Sequence, residues 1–190
     1  MKKVLQIIMF VLILLLAYLV YSGMFSKPIF YEEHIEGFPV AFIKETSDYR
    51  SAERVRNDVY LRLLEKGFQT ERGFGLFLES PLGGKIEDIT YYAGMILTEE
   101  QFELMMHEDT FIDFTMLYPG DSVVASFAYK THLSSPFATI KVYSRLQKYL
   151  AEKKLQRGAV IEIYDLQKNE ILFISSTQIV LPLSPRESAD

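Results

Sequence analysis

The 190-residue chain has no cysteine, which excludes disulfides, thiolate zinc sites and a lipidated cysteine anchor while leaving the redox compartment open. Histidine is almost as scarce: His34, His107 and His132 are scattered, none stands in an HxxxH pattern, and all three read as surface or loop residues. Positive charge is also short. With 20 basic against 25 acidic residues and a net charge of −5, there is no concentrated basic face for phosphates, so nucleic acid is not an expected partner. The familiar catalytic signatures are missing as well. No GxSxG elbow occurs, Gly73-Phe74-Gly75 lacks the third glycine and the strand–helix frame of a dinucleotide loop, and Gly83-Gly84-Lys85 reads as a hairpin turn. No metal, cofactor or catalytic residue is assigned from these patterns.

What the chain does have is apolar and aromatic surface. A hydrophobic share of 49% with 14% aromatic residues excludes disorder for most of its length. Lys2 and Lys3 precede an apolar run from Val4 to Tyr21 interrupted only by Gln6. At 1.5 Å per residue that run spans about 27 Å, close to the hydrocarbon thickness of a bilayer. It is longer than the apolar core of a cleaved signal peptide, and Val20 and Ser22 make a poor cleavage pair, so residues 1–25 are expected to stay as a single-pass membrane anchor. The lysines before the span, against Lys27 alone close after it, place the following domain on the non-cytoplasmic side.

Beyond the anchor and a connector over 26–36, a pattern repeats. VYLRL at 59–63 returns as VYSRL at 142–146, each preceded at the same distance by a glycine, Gly37 or Gly120, that leads into an apolar run. Each copy runs on to an Arg-Gly pair, Arg72-Gly73 and Arg157-Gly158, with two extra residues in the second. The unit reads as strand, helix, strand, strand. In the first, a strand over 38–45 leads to a helix with Ala52, Val55, Val59 and Leu63 on its buried face, stopped at Gly67, then FGLFLES, the turn SPLGG and DITYYAGMIL. Thr98 to Met106 adds a short helix and FIDFTMLYP an extra strand. In the second unit, SVVASFAY leads to a helix capped by Ser135 with Pro136 in its first turn and Ala138, Val142, Leu146 and Tyr149 or Leu150 buried; AVIEIYD and EILFISS form the hairpin around Gln167 to Asn169. The expected fold is α+β: two repeats, 37–97 and 120–177, in one antiparallel sheet with both helices on one face, and a frayed tail over 178–190.

The stretch VIEIYD stands out. Strand alternation puts Ile161 and Ile163 on one face and Val160, Glu162 and Tyr164 on the other. With the isoleucines under the helices, Glu162 and Tyr164 face away, across an open side of the sheet. A carboxylate among rings suits a cationic ligand; an edge-strand glutamate facing water is the plainer alternative. The candidate ligand-binding residues are Glu162, Tyr164, Phe77, Tyr49 and Tyr91.

The two-unit plan, GLFLESP closing the first hairpin and VIEIYD opening the second, resembles the GyrI-like small-molecule-binding domain family over residues 37–177. An apolar span followed directly by that domain, with YYAGMIL, DSVVASFAYKTHLS and YLAEKKL, resembles its membrane-anchored branch, which includes an endoplasmic-reticulum receptor for selective autophagy. The resemblance implies a pseudo-two-fold domain, related in fold to SOUL-type haem-binding proteins, that binds amphipathic molecules in a groove, with Glu162 matching the groove's acidic residue. Where the family has Gly-Pro-Tyr after the first strand this chain has Ser47-Asp48-Tyr49, and the tryptophan that often lines the grooves of hydrolytic relatives is absent. The leading expectation is a membrane-anchored, non-catalytic binding domain for a small amphipathic or cationic molecule. The alternatives are a membrane-tethered protein-interaction module, and a hydrolase using Glu162 as base or nucleophile.

Overall fold

A computed structural model describes residues 2–82, 88–106 and 112–179. Helix α1 (Lys2–Tyr21) carries the apolar run and is buried against nothing. It is followed by strand β1 (Ile29–Ile35), which the sequence reading took for connector, then β2 (Phe38–Ser47), α2 (Ser51–Glu65), β3 (Arg72–Phe77), β4 (Ile89–Ile96), α3 (Glu99–Met105) and β5 (Asp113–Leu117). The second half holds β6 (Gly120–Ala128), α4 (Ser134–Lys153), β7 (Ala159–Asp165) and β8 (Glu170–Ser176). Among the described residues eight strands form one antiparallel sheet in the order β1-β6-β8-β7-β3-β4-β2-β5. The fold class is α+β, and strand–helix–strand–strand occurs twice, as β2-α2-β3-β4 and β6-α4-β7-β8. The two units meet at β3 and β7. There Leu76 pairs with Ile161, each four residues beyond the arginine of its own Arg-Gly pair, so equivalent positions of the repeat face each other at the centre.

Helix α2 buries Ala52, Val55, Val59 and Leu63, the four positions read from the sequence, against Ala41, Phe77, Tyr91, Ala93 and Met95. Helix α4 buries Ala138, Val142, Leu146 and Leu150 against Val123, Ala125, Phe127, Ile171 and Phe173. In register, Gly75 pairs with Glu162 and Phe77 with Val160, so the residues under α2 and those under α4 share one face of the sheet. Strands β2 and β4 approach closely at a glycine: a Cβ on Gly94 would lie 1.9 Å from the Ala41 carbonyl oxygen.

The opposite face is not open. Only Glu36 and Gly37 separate edge strand β1 from β2, and only Tyr118 and Pro119 separate edge strand β5 from β6, so the sheet must coil until its two edges approach. Its inner side is filled mainly by strand residues, among them Val40, Phe42, Phe74, Leu76, Val124, Ile161, Ile163 and Ile174. Ile161 and Ile163 therefore face the interior of the coil and Glu162 and Tyr164 the helices, the reverse of the assignment made from alternation. Alternation cannot decide a face when both faces are buried.

Other local readings differ in detail. Thr98 caps α3, its side chain accepting from Gln101 N–H while the Gln101 side chain accepts from Thr98 N–H. Ser135 does not cap α4. The helix begins at Ser134, whose hydroxyl accepts from the N–H groups of Lys130 and Thr131 and donates to the Ser22 carbonyl. Lys141 Nζ donates to the carbonyls of Gly23, Met24 and Ser26, and Thr131 Oγ1 donates to Ser22 Oγ at 2.8 Å, so the turn that follows α1 is fastened to one flank of α4. The tail begins ordered: Gln178 Oε1 accepts from Asp121 N–H, and Ile179 packs on the inner strand cluster. The turn at Gly83-Gly84-Lys85, His107 and the tail from 180 onward lie outside the described residues.

Candidate functional site

Turning Glu162 toward the helices places it at 0% exposure beneath the cleft between α2 and α4. Three phenol hydroxyls converge on it. Tyr164 OH donates to Oε2 at 2.7 Å, Tyr143 OH to Oε1 at 2.9 Å, and Tyr49 OH lies 2.8 and 2.9 Å from the two oxygens, sharing its single proton between them. Each tyrosine comes from a different element: β7, helix α4, and the loop joining β2 to α2. Thr139 Oγ1 lies 3.0 Å from Tyr49 OH and Ser135 Oγ lies 3.4 Å from Tyr164 OH, which extends the network along the first turns of α4.

Desolvation and donation oppose each other here. Burial pushes the Glu162 carboxyl up, the three hydroxyl donors and the Arg56 charge pull it down, and the balance is upward from the ordinary carboxylate range. The phenols move the same way: burial first, then the Glu162 charge, holds Tyr49 and Tyr143 well above the usual phenol range and raises Tyr164.

The aromatic side chains named from the sequence gather beside this carboxylate. The Tyr49 and Phe77 rings lie 4.8 Å apart and the Phe77 and Tyr91 rings 5.8 Å apart. Tyr49, Phe77 and Tyr164 line a cavity of about 780 Å³ between the first turns of α2 and α4, whose opposite walls include Ser135, Pro136, Thr139 and Ile140. Glu162 and Tyr91 are not among its lining residues. Glu162 sits behind the tyrosines, and Tyr91 sits behind Phe77 with its hydroxyl 3.3 Å from Ser47 Oγ.

A second cavity of about 700 Å³ lies along α2, lined by Tyr60, Met95, Tyr129 and Leu166 among others, and it shares Glu53, Arg56 and Tyr164 with the first. The Arg56 guanidinium stands over the Tyr164 ring, 4.0 Å from its centroid. Tyr143, Thr139 and Arg56 were not singled out from the sequence. Arg56 and Tyr143 lie one position beyond buried Val55 and Val142, a helical flank that points at the neighbouring helix rather than straight down. His132, read as a loop residue, lines the first cavity.

No protein-family model matches the sequence, and no curated protein does. Solved structures do. The C-terminal domain of EcmrR matches with a TM-score of 0.53 at 10% identity, over 78% of this chain and 96% of that one. EcmrR in a complex with DNA matches with a TM-score of 0.53 at 12% identity, over 92% of this chain and 67% of that one. SAV2435 bound to tetraphenylphosphonium matches with a TM-score of 0.44 at 12% identity, over 80% of this chain and 94% of that one. The two EcmrR likenesses show that this chain shares the fold of the EcmrR C-terminal domain. They stop short of the endoplasmic-reticulum branch.

Proposed function

We propose that this chain is a membrane-anchored domain that binds a small amphipathic cation without transforming it, in the cavity walled by Tyr49, Phe77 and Tyr164. The observation that carries the reading is the buried Glu162 carboxylate held behind those rings by three phenol donors. A phenol that donates to a carboxylate becomes richer in electrons, so the faces turned to the cavity attract a cation more strongly than isolated tyrosines would. The low-dielectric setting lets the charge act across the ring. Apolar walls from Pro136 and Ile140 suit the hydrophobic part of such a molecule. The helices over Glu162 also leave no open, wetted sheet face there for a protein partner. The anchor reading rests on α1, an apolar helix of 20 residues near the N-terminus, long enough to fit a bilayer span.

The test is calorimetry on the full chain in detergent micelles, with tetraphenylphosphonium as a delocalised aromatic cation and triphenylphosphine oxide as its neutral counterpart. Glu162→Gln keeps the shape and removes the charge. Cation affinity is expected to fall about tenfold to a hundredfold, with the neutral compound little changed. Equal cation affinity in the two proteins overturns the reading, and ligand consumption abolished by the same substitution replaces it with hydrolysis.

A further inference from the structure

Arg56 sits where the ligand's charge should go. Its guanidinium is stacked on the Tyr164 ring at 4.0 Å, at the boundary shared by the two cavities. The berth is shaped for it: a Cβ on Gly73, which pairs with Tyr164 across β3 and β7, would lie 3.0 Å from Arg56 Cδ. Among the described residues Arg56 makes no ion pair, although Glu53 stands one turn earlier on the same helix. A half-buried guanidinium with no carboxylate of its own, resting on a ring whose hydroxyl donates to Glu162, is answered by that buried charge through the tyrosine.

We propose that Arg56 is the resident cation of the Glu162 site and sets its selectivity: a ligand cation reaches the Tyr164 face only by displacing the Arg56 side chain, which also joins the two cavities. This rests on the cation-binding reading above and adds a condition to it. A small cation gains too little from one ring to displace a guanidinium already stacked there. A bulky aromatic cation also buries apolar surface against Phe77 and Tyr49, and can drive the exchange. The arginine side chain is long enough to swing toward solvent on the exposed side of α2 without unwinding the helix.

The experiment pairs Arg56→Gln with Arg56→Lys in the full chain. Tetraphenylphosphonium binding is measured from acidic to mildly alkaline pH, and the Glu162 carboxyl is titrated by carbon-13 NMR without ligand. Arg56→Gln is expected to bind the cation about fivefold to thirtyfold more tightly than wild type, with triphenylphosphine oxide unchanged, and to move the Glu162 midpoint upward. Arg56→Lys, which keeps the charge, is expected to leave the midpoint near the wild-type value. An unmoved midpoint in Arg56→Gln overturns the proposal, as does equal or weaker cation binding where the wild type binds. If the midpoint moves while neither protein binds the cation, the ligand reading falls and the resident cation stands.

Discussion

At the scale of single residues, the pairing of one carboxyl with three phenols links stability to pH. The groups facing Glu162 are Tyr49 from the β2–α2 loop, Tyr143 from α4, Tyr164 from β7 and the Arg56 charge from α2. Because the folded-state carboxyl holds its proton more tightly than the unfolded one, its contribution to stability is complete below the unfolded value of about 4.3 and is lost as pH rises through the higher folded value. Asp48 runs the other way, since hydrogen bonds from Arg50 hold it down to about 2. The difference between wild type and Glu162→Gln removes that background. Melting temperatures over the acid-to-neutral range should therefore show wild type losing stability relative to Glu162→Gln as pH rises. A flat difference would mean that Glu162 titrates alike in both states. Of this cluster, Glu162 and Tyr164 were legible because a charge inside an apolar strand is conspicuous. Tyr143 and Arg56 were not, because on a helix they look like ordinary flanking residues until the second helix is in place.

At the scale of elements, the helices were easier to read than the strands. The apolar stripes of α2 and α4 repeat at helical spacing against charged neighbours, which names the buried positions directly. Leu146 is the clearest case. Buried among Phe127, Tyr143 and Val160 in the α4 cluster, it should cost about 2 to 5 kcal/mol of stability when changed to Ala, measured by urea unfolding, through lost transfer energy and the cavity left behind. A loss below about 1 kcal/mol would show that the helix packs by another face. Strands β3 and β7 resisted because both of their sides are covered, one by helices and one by the coiled sheet itself, so their near-continuous apolar runs contain no signal for orientation. Strand β1 escaped for the opposite reason. IFYEEHI is a largely exposed edge strand whose pairing with β6 is a long-range fact that local composition does not carry.

At the scale of the whole molecule, two similar units placed back to back put β3 and β7 at the centre and leave a cleft on the helix-covered face, between the two helices. The sequence showed the repetition through VYLRL and VYSRL, and it could not show that the sheet would coil. With α1 in a bilayer and the lysines inside, protease added outside intact cells or spheroplasts should digest the domain and leave the anchor in the membrane. Protection of the domain would reverse the orientation, and a soluble mature form would remove the anchor. The junction between α1 and the domain has a mechanical meaning. Ser134 and Lys141 lie on one flank of α4 and hold the turn that follows α1, while Pro136 and Ile140 lie on its other flank and form a wall of the cavity. A packed helix transmits displacement across its width with little compression. The two flanks belong to one helix, so the turn that leaves α1 and the wall of the cleft are held by the same rigid element.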